Sequence, residues 1–264
     1  MDLHLEGKVA LVTGSTAGIG FAIAEGLARE GAHVYVNGRK QETVDKAVTT
    51  IRQAAPRVKV EGIAADVATK QGCDALIGKL AAVDILVNNA GIFEPVPFEK
   101  ISDEDWLRFF ETNVMSGVRL SRHYLAGMRK KNWGRILFIA SESAINIPVE
   151  MIHYGMTKSA DVAIARGLAQ SVAGTGITVN SILPGPTASA GVEQMLATHA
   201  KSAGITKQQA EEGFFKEHRP SSLLKRFATP EEVANLAVYV ASELSAATNG
   251  APLRVDGGVV SSAF

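Results

Sequence analysis

Residues 9–20 read Val9-Ala10-Leu11-Val12-Thr13-Gly14-Ser15-Thr16-Ala17-Gly18-Ile19-Gly20, and this stretch decides the fold. Its first four residues are apolar and β-prone, so they predict a short buried strand. Glycines follow at once, and Ile19, Ile23 and Leu27 then recur at helical spacing. The order strand, tight glycine loop, helix predicts the first unit of an alternating α/β fold.

The same alternation continues to the end of the chain. Runs such as Ile85-Leu86-Val87 are apolar at every position, which is typical of strands buried on both faces. We therefore expect a Rossmann-type α/β fold, doubly wound, with a mostly parallel seven-stranded sheet and helices on both faces. The predicted strands are 9–12, 34–37, 60–64, 85–88, 135–140, 178–183 and 252–255, and the predicted helices are 19–30, 41–54, 69–81, 103–130, 154–172 and one that begins at Pro230.

The length and composition fit one domain that spans residues 1–264. The one break in the rhythm is a more polar insertion at about 190–227, which is not long enough to suggest a second domain.

The composition also excludes several classes of protein. Twenty-seven basic residues balance 27 acidic ones, so we expect neither nucleic acid nor an anionic membrane as a partner. The N-terminus lacks a basic segment followed by an apolar run, and no apolar stretch approaches the roughly 20 residues of a bilayer span. The single Cys73 cannot form a disulfide within the chain and has no partners for a metal cluster. The sequence thus predicts a cytoplasmic protein without a metal site.

The glycine loop has the surroundings of a dinucleotide-binding site, because it follows a strand and opens a helix. Glycines let the backbone approach a pyrophosphate, and the helix N-terminus offers free N–H groups to the phosphates. The predicted contacts are Gly14, Ser15, Thr16, Gly18, Ile19 and Gly20.

The end of the second strand indicates which cofactor is preferred. An NAD enzyme usually has a carboxylate there for the ribose, but the chain reads Asn37-Gly38-Arg39-Lys40. A guanidinium pairs well with a 2′-phosphate, so Arg39 and Lys40 favour NADP(H), with NAD(H) as the alternative. Asp66 and Val67, after the third strand, are predicted to lie near the adenine; a helix cap at Asp66 is the competing interpretation.

Tyr154 and Lys158 are four residues apart on a predicted helix, so they project from one face. A phenol has a pKa near 10 in water, and a neighbouring ammonium favours its ionised form. The pair therefore suits proton transfer to or from a carbonyl oxygen. A surface pair without function is the alternative for this spacing alone.

Taken together, the glycine loop, Asn88-Asn89-Ala90-Gly91, Asn113, Ser141, Tyr154 and Lys158 resemble the short-chain dehydrogenase/reductase family in order and spacing. The resemblance extends over nearly the whole chain, as far as Val255-Asp256-Gly257-Gly258. It implies that the insertion at about 190–227 forms a helical lid over the substrate. The apolar residues of this lid either provide an underside for a hydrophobic substrate or simply pack the lid onto the core; they are Met195, Leu196, Phe214, Phe215 and Leu223.

The resemblance implies a role for each matching residue. Ser141 would bind the substrate oxygen, with Ser143 ranked second, Lys158 would also hold the nicotinamide ribose, and Asn113 would anchor a water in a proton relay. Asn89, Ala90 and Gly91 would close the cofactor floor, and Pro184 and Gly185 would lie beside the carboxamide. The family's threonine four residues after Pro-Gly is absent; Thr187 comes early and Ser189 is in register, and either hydroxyl could take its place.

The leading hypothesis is thus an oxidoreductase that transfers hydride between NADP(H) and a ketone or secondary alcohol. One alternative is a 3-oxoacyl carrier-protein reductase, for which Arg122, Arg129, Lys130 and Lys131 would form the docking patch unless they are a solvated helix end. A non-catalytic dinucleotide sensor is the alternative from another class. The resemblance also implies a homotetramer or homodimer. His153 is interpreted as a helix-start residue and not as an acid or base.

Overall fold

The computed structural model describes residues 2–263 and confirms the predicted α/β architecture. All seven strands are parallel and lie in the order β3-β2-β1-β4-β5-β6-β7. They are β1 (Val9–Val12), β2 (His33–Gly38), β3 (Val60–Ala64), β4 (Ile85–Asn88), β5 (Gly134–Ile139), β6 (Ile177–Pro184) and β7 (Pro252–Val255).

Helices cover both faces of this sheet. They are α1 (Gly18–Arg29), α2 (Gln41–Ala54), α3 (Lys70–Lys79), α4 (Asp103–Phe110), α5 (Ser116–Lys131), α6 (Ile152–Ser171), α7 (Ala190–Ala203), α8 (Lys207–Glu217) and α9 (Pro230–Val240). The polar insertion is therefore helical, and it contains α7 and α8.

Side-chain alternation along the central strands divides the core into two layers. Ala10 and Val12 belong to one buried cluster, whereas Leu11 between them belongs to the other. Val87 and Leu86 of β4 are divided in the same way. Because successive side chains of a strand point to opposite faces, a central strand needs apolar residues at every position.

The prediction of one continuous α-helix over 103–130 was wrong, because a π-helical turn interrupts it. The structure has α4, then a π-helical turn over Glu111–Met115, and then α5. π-turns carry one extra residue per turn, and they often occur at functional sites.

The strand order reverses direction between β1 and β4, which pair directly with each other. Crevices at the carboxyl ends of strands on either side of such a switch point are the usual ligand sites of doubly wound sheets. Within residues 2–263, no helix is both long and apolar enough to cross a membrane. The described part of the chain also contains no group of three His, Cys, Asp or Glu side chains that could hold a metal ion.

Candidate active site

The glycine loop at the switch point has a backbone that only glycine adopts easily. Gly14 and Gly18 have φ values of +60° and +58°. A Cβ on Gly20 would lie 2.3 Å from Asn89 Nδ2 and 2.6 Å from the Gly14 carbonyl oxygen. Ala17 is the N-cap of α1, and no side chain of the described residues caps the start of this helix with a hydrogen bond. The N–H groups of its first turn thus remain available to a phosphate, as a dinucleotide requires.

Thr13 and Asn89 hold this loop against the end of β4. Thr13 Oγ1 accepts hydrogen bonds from the backbone N–H groups of Asn89 at 2.9 Å and Ala90 at 3.0 Å. Asn89 Nδ2 donates to the carbonyl oxygens of Thr13 and Gly14 at 2.9 and 3.0 Å. The Asn89 side chain therefore shapes the loop. Thr13 was not among the predicted cofactor contacts, although a hydroxyl residue between a strand and the first loop glycine is a signal that could have found it.

Ser15 and Thr16 differ in where their side chains lie. The Ser15 hydroxyl is fully buried; it donates to the Val12 carbonyl at 2.7 Å and accepts from the Asn37 N–H at 3.0 Å. The structure therefore does not bring this hydroxyl to the phosphate side of the loop. Thr16 is half-buried, and its side chain packs over Gly38. A Cβ on Gly38 would lie 2.5 Å from the methyl group of Thr16.

Arg39 and Lys40 are exposed beyond the end of β2, and neither makes an ion pair with any residue in the range 2–263. Asp66 is also exposed, and its Oδ1 accepts the Ala68 N–H at 3.1 Å. Asp66 does not cap α3, because Thr69 is the capping residue. Val67 is buried in the core.

Tyr154 and Lys158 lie on one face of α6, with Lys158 Nζ 5.8 Å from the centre of the Tyr154 ring. Lys158 is buried, and its Nζ donates to the Ile139 carbonyl at 2.8 Å and to Asp161 Oδ2 at 3.2 Å. Burial, the largest influence, disfavours the ammonium, but the charges of Asp161 and Tyr154 outweigh it and raise the pKa of Lys158. The half-buried Tyr154 ring packs edge-on against Phe93.

Ser141 follows β5 and begins a 3-10 turn that packs on α6. Its Oγ accepts the Ser143 N–H at 3.1 Å. A Cβ on Gly155, the residue after Tyr154, would lie 3.1 Å from the Ser143 carbonyl oxygen. Ser159 Oγ donates to the Ala144 carbonyl at 2.8 Å. The turn that carries Ser141 is thus held against the helix segment that carries Tyr154.

Asn113 lies in the π-helical turn, where both the oxygen and the nitrogen of its side-chain amide are hydrogen-bonded. Oδ1 accepts the Ile92 N–H at 2.8 Å, and Nδ2 donates to the Ile92 carbonyl and to Thr157 Oγ1, both at 3.0 Å. The hydrogen bonds of Asn113 therefore connect the loop after β4 to α6. A Cβ on Gly91 would lie 3.4 Å from Asn113 Oδ1 and 3.6 Å from Lys158 Nζ, so glycine keeps the approach to Lys158 open.

The segment that follows β6 forms another wall of the candidate site. A Cβ on Gly185 would lie 2.4 Å from the Asp256 carbonyl oxygen, so this glycine permits close packing against the segment after β7. The Thr187 hydroxyl donates to the Gly185 carbonyl at 2.9 Å. Ser189 caps α7. A Cβ on Gly18 would lie 3.8 Å from the Cβ of Ser189. Of the two hydroxyl residues left open by the sequence, Ser189 is the one that packs against the glycine loop.

The insertion at about 190–227 has an apolar core of its own, which includes Leu196, Phe215 and Phe227, with Phe214 packed against it. Met195 and Leu223 are exposed. Three of the five apolar residues predicted for the insertion, Leu196, Phe214 and Phe215, thus help to hold its helices to each other. A separate polar contact joins the insertion to the turn that carries Ser141, since Arg219 Nε donates to Glu142 Oε1 at 2.8 Å.

His153 precedes Tyr154 but is fully buried, with its ring centre 4.0 Å from that of Phe109. Neither ring nitrogen has a hydrogen-bond partner among residues 2–263. Burial lowers the pKa of His153, so it is neutral at pH 7. These contacts place it in the core beside the site.

The family model of the short chain dehydrogenases matches residues 8–200. The chain is 48% identical over 264 residues to the uncharacterized oxidoreductase YvaG of Bacillus subtilis, with 100% of both chains covered. It is 32% identical over 263 residues to the 3-oxoacyl-[acyl-carrier-protein] reductase FabG of Aquifex aeolicus, covering 98% of this chain and 100% of the relative.

The crystal structure of L-sorbose reductase from Gluconobacter frateurii, complexed with NADPH and L-sorbose, superposes with a TM-score of 0.93 at 36% identity. The match covers 99% of this chain and 100% of that one. The fold, the glycine loop and the Tyr154–Lys158 helix agree with these relationships. The chain belongs to the short-chain dehydrogenase/reductase family.

Proposed function

We propose that this enzyme interconverts a ketone and a secondary alcohol with NADP(H), and that Tyr154 is its general acid and base. The observation that carries the proposal is the buried ammonium of Lys158 beside the Tyr154 ring, at the carboxyl end of the sheet next to an uncapped glycine loop. A dinucleotide sensor needs the loop but has no use for this proton-transfer pair.

The chain's own residues fit a dinucleotide. Gly14, Gly18 and Gly20 would admit the pyrophosphate, and the backbone from Ala90 to Gly91 would form the floor. Arg39 and Lys40 have no anionic partner in the described chain, which suits a 2′-phosphate. The walls of the dinucleotide site would be completed by Ile19, Pro184 and either Ser189 or Thr187. The 2′-phosphate contact favours NADP(H) over NAD(H).

In the reductive direction, the bound nicotinamide supplies a hydride to the carbonyl carbon. Ser141 donates a hydrogen bond to the carbonyl oxygen and orients it. Tyr154 donates its phenolic proton to that oxygen as negative charge develops there, which yields the alcohol. Lys158 stabilises the resulting phenolate, which then regains a proton from solvent.

Both N–H donors of the Asn113 amide are used by Ile92 and Thr157, so a relay water would not accept a hydrogen bond from this side chain. In the oxidative direction the same proton moves from the alcohol to Tyr154.

A small carbonyl substrate is favoured over an acyl carrier protein. Of the basic residues considered for carrier docking, Lys131 pairs with Asp84 at 2.6 Å, and Arg129 donates to the Ser171 carbonyl at 3.0 Å. Arg122 and Lys130 remain exposed on α5. Basic side chains at a helix C-terminus are also stabilised by the helix dipole. The likeness to an L-sorbose reductase adds hydroxyketones to the substrates worth testing.

Symmetric assembly into a homodimer or homotetramer is part of the proposal. It is supported by apolar side chains left exposed on α4, where Leu107 is 65% and Phe110 is 37% exposed. Sedimentation analysis of the purified protein tests it, and a monomer at micromolar concentration would refute it.

A cytoplasmic location is proposed from Cys73, which is buried and forms no disulfide within the described residues.

The reaction class is tested with purified protein, NADPH and NADH, and a panel of ketones, hydroxyketones and 3-oxoacyl thioesters. We expect NADPH oxidation with at least one small ketone. Tight binding of NADPH without turnover of any panel member would favour the sensor function instead.

A further inference from the structure

Asn37 is a buried polar residue near the carboxyl end of β2, two residues before Arg39. It is 1% exposed. Asparagine is disfavoured in strands, and a buried amide is costly unless it is hydrogen-bonded. The sheet does not need an amide here, because backbone groups form its ladder. The partners of the Asn37 side chain therefore indicate what it does.

On one side, Asn37 is bonded to the glycine loop. Its backbone N–H donates to Ser15 Oγ at 3.0 Å, and its carbonyl oxygen accepts the Ser15 N–H at 2.9 Å. The side-chain oxygen Oδ1 accepts the Gly14 N–H at 3.4 Å. Three hydrogen bonds of this residue thus attach the glycine loop to the end of β2.

On the other side, the same amide holds the segment after β3. Nδ2 donates to the carbonyl oxygens of Ile63 at 3.0 Å and Ala65 at 3.1 Å. Because β3 ends at Ala64, Ala65 begins the loop that contains Asp66, a predicted adenine contact. An amide nitrogen has two N–H donors, and both are used here.

We propose that Asn37 is a positioning residue that sets the spacing between the glycine loop and the adenine loop, residues 65–67, so that one dinucleotide occupies both. This inference rests on the proposed dinucleotide site. Loops that are already in register spare the ligand the free-energy cost of ordering them. The adenosine and pyrophosphate groups are common to NADPH and NADH, so Asn37 should support the binding of both, whereas Arg39 distinguishes them.

The set of partners explains why the residue is asparagine. Two carbonyl oxygens face its nitrogen and one N–H group faces its oxygen. An aspartate would place an oxygen against the carbonyls of Ile63 and Ala65, and both would repel it. A threonine has one donor and a valine has none. The Asn37 amide satisfies all three groups at once.

Each loop also has supports of its own. Thr13 and Asn89 hold the glycine loop against the end of β4. In the adenine loop, the Asp66 carbonyl oxygen accepts the Thr69 N–H at 3.1 Å, next to the start of α3. Loss of the Asn37 side chain should therefore leave each loop formed and change their relative position. A ligand that contacts one loop should be little affected, and a ligand that contacts both should bind more weakly.

The test compares two ligands by isothermal titration calorimetry of the ligand-free protein. ADP carries both an adenine and a pyrophosphate, whereas inorganic pyrophosphate offers a group for the glycine loop only. For Asn37→Ala we expect ADP to bind about tenfold more weakly than to wild type, with pyrophosphate affinity within about twofold of wild type. NADPH and NADH should weaken by the same factor as each other. At saturating NADPH, kcat should remain near the wild-type value while KM for NADPH rises.

Asn180→Ala is the matched control. Asn180 is also a fully buried asparagine in a strand, where Nδ2 donates to the Thr248 carbonyl at 2.8 Å and Oδ1 accepts the Ala251 N–H at 3.0 Å. This variant should have a lower melting temperature and unchanged ADP affinity. Asn37→Ser is a milder variant that retains one donor. It should show a smaller loss of ADP affinity, and it provides the measurement if Asn37→Ala does not fold.

Unchanged ADP affinity in a folded Asn37 variant would overturn the proposal. An equal loss for pyrophosphate and ADP would also overturn it, because the effect would then lie in the glycine loop alone. The binding measurements need no substrate. Wild-type protein that binds ADP but turns over no ketone would refute the proposed function and leave the role of Asn37 standing.

Discussion

Arg219 and Glu142 form a buried ion pair between the polar insertion and the turn that carries Ser141. Arg219 Nε lies 2.8 Å from Glu142 Oε1, and the two side chains are 8% and 3% exposed. Arg219 Nη1 also lies 3.7 Å from Glu150, which precedes α6. Because Glu142 is the residue after Ser141, the pair ties the insertion to this turn, and we propose that the insertion is a lid over the substrate.

Replacing Arg219 should loosen the lid and impair substrate binding. Loss of one partner leaves a buried Glu142 unpaired, and such losses cost about 3–5 kcal/mol. For Arg219→Met we expect a lower melting temperature, faster hydrogen exchange in α7 and α8, and a raised KM. Lys207→Met breaks the exposed Lys207–Glu193 pair of the same lid and should change stability by less than about 1 kcal/mol. Equal effects of the two substitutions would contradict a special role for Arg219.

The glycine loop should not tolerate a single methyl group at residue 20. In Gly20→Ala, the Cβ would overlap Asn89 Nδ2 and the Gly14 carbonyl oxygen, so the loop must shift. We expect weaker NADPH binding by at least tenfold, measured by fluorescence titration, together with reduced stability. Gly78→Ala, in α3, has open space at its Cβ and should stabilise the protein by up to about 1 kcal/mol. Normal NADPH affinity in Gly20→Ala would show that the loop is not the pyrophosphate site.

Arg39 should set the preference between the two nicotinamide cofactors. Arg39→Ala removes a charge-assisted contact to the 2′-phosphate, so NADPH binding should weaken by about 1–3 kcal/mol while NADH binding changes little. Lys46→Ala, on the exposed side of α2, is the control and should affect neither cofactor. Equal losses for NADPH and NADH in Arg39→Ala would refute the assignment.

Asp161 should leave a signature in the pH dependence of stability. Its carboxyl has a pKa of about 6 in the folded protein against 3.8 as its ordinary value. Between these values the folded chain retains a proton that the unfolded chain has lost, so the free energy of unfolding falls as pH rises through this window.

Urea denaturation at several pH values should show this slope in wild type and a smaller slope in Asp161→Asn. Identical slopes would mean that Asp161 does not titrate as its burial requires.

Local patterns were enough to predict the fold and the central pair. The glycine loop after β1 and the four-residue spacing of Tyr154 and Lys158 depend on neighbours in sequence. The direction of the Ser15 hydroxyl could not be predicted, because it depends on how the ends of β1 and β2 meet. The Arg219–Glu142 pair joins residues 77 positions apart, and no periodicity relates them.

The π-turn at Asn113 was also missed, since apolar spacing does not distinguish it from continuous α-helix. The signal for Asp161 was present, as an acid three residues after Lys158 on the same helix.

The proton-donor role of Tyr154 is tested most directly by Tyr154→Phe, which removes one oxygen and keeps the ring that packs on Phe93. Steady-state turnover of the best ketone with NADPH is compared with wild type, and NADPH affinity is measured on the same samples. We predict a loss of turnover of about 10²–10⁴-fold or more, with NADPH affinity within a few-fold of wild type. Turnover that is unchanged in Tyr154→Phe would contradict the mechanism.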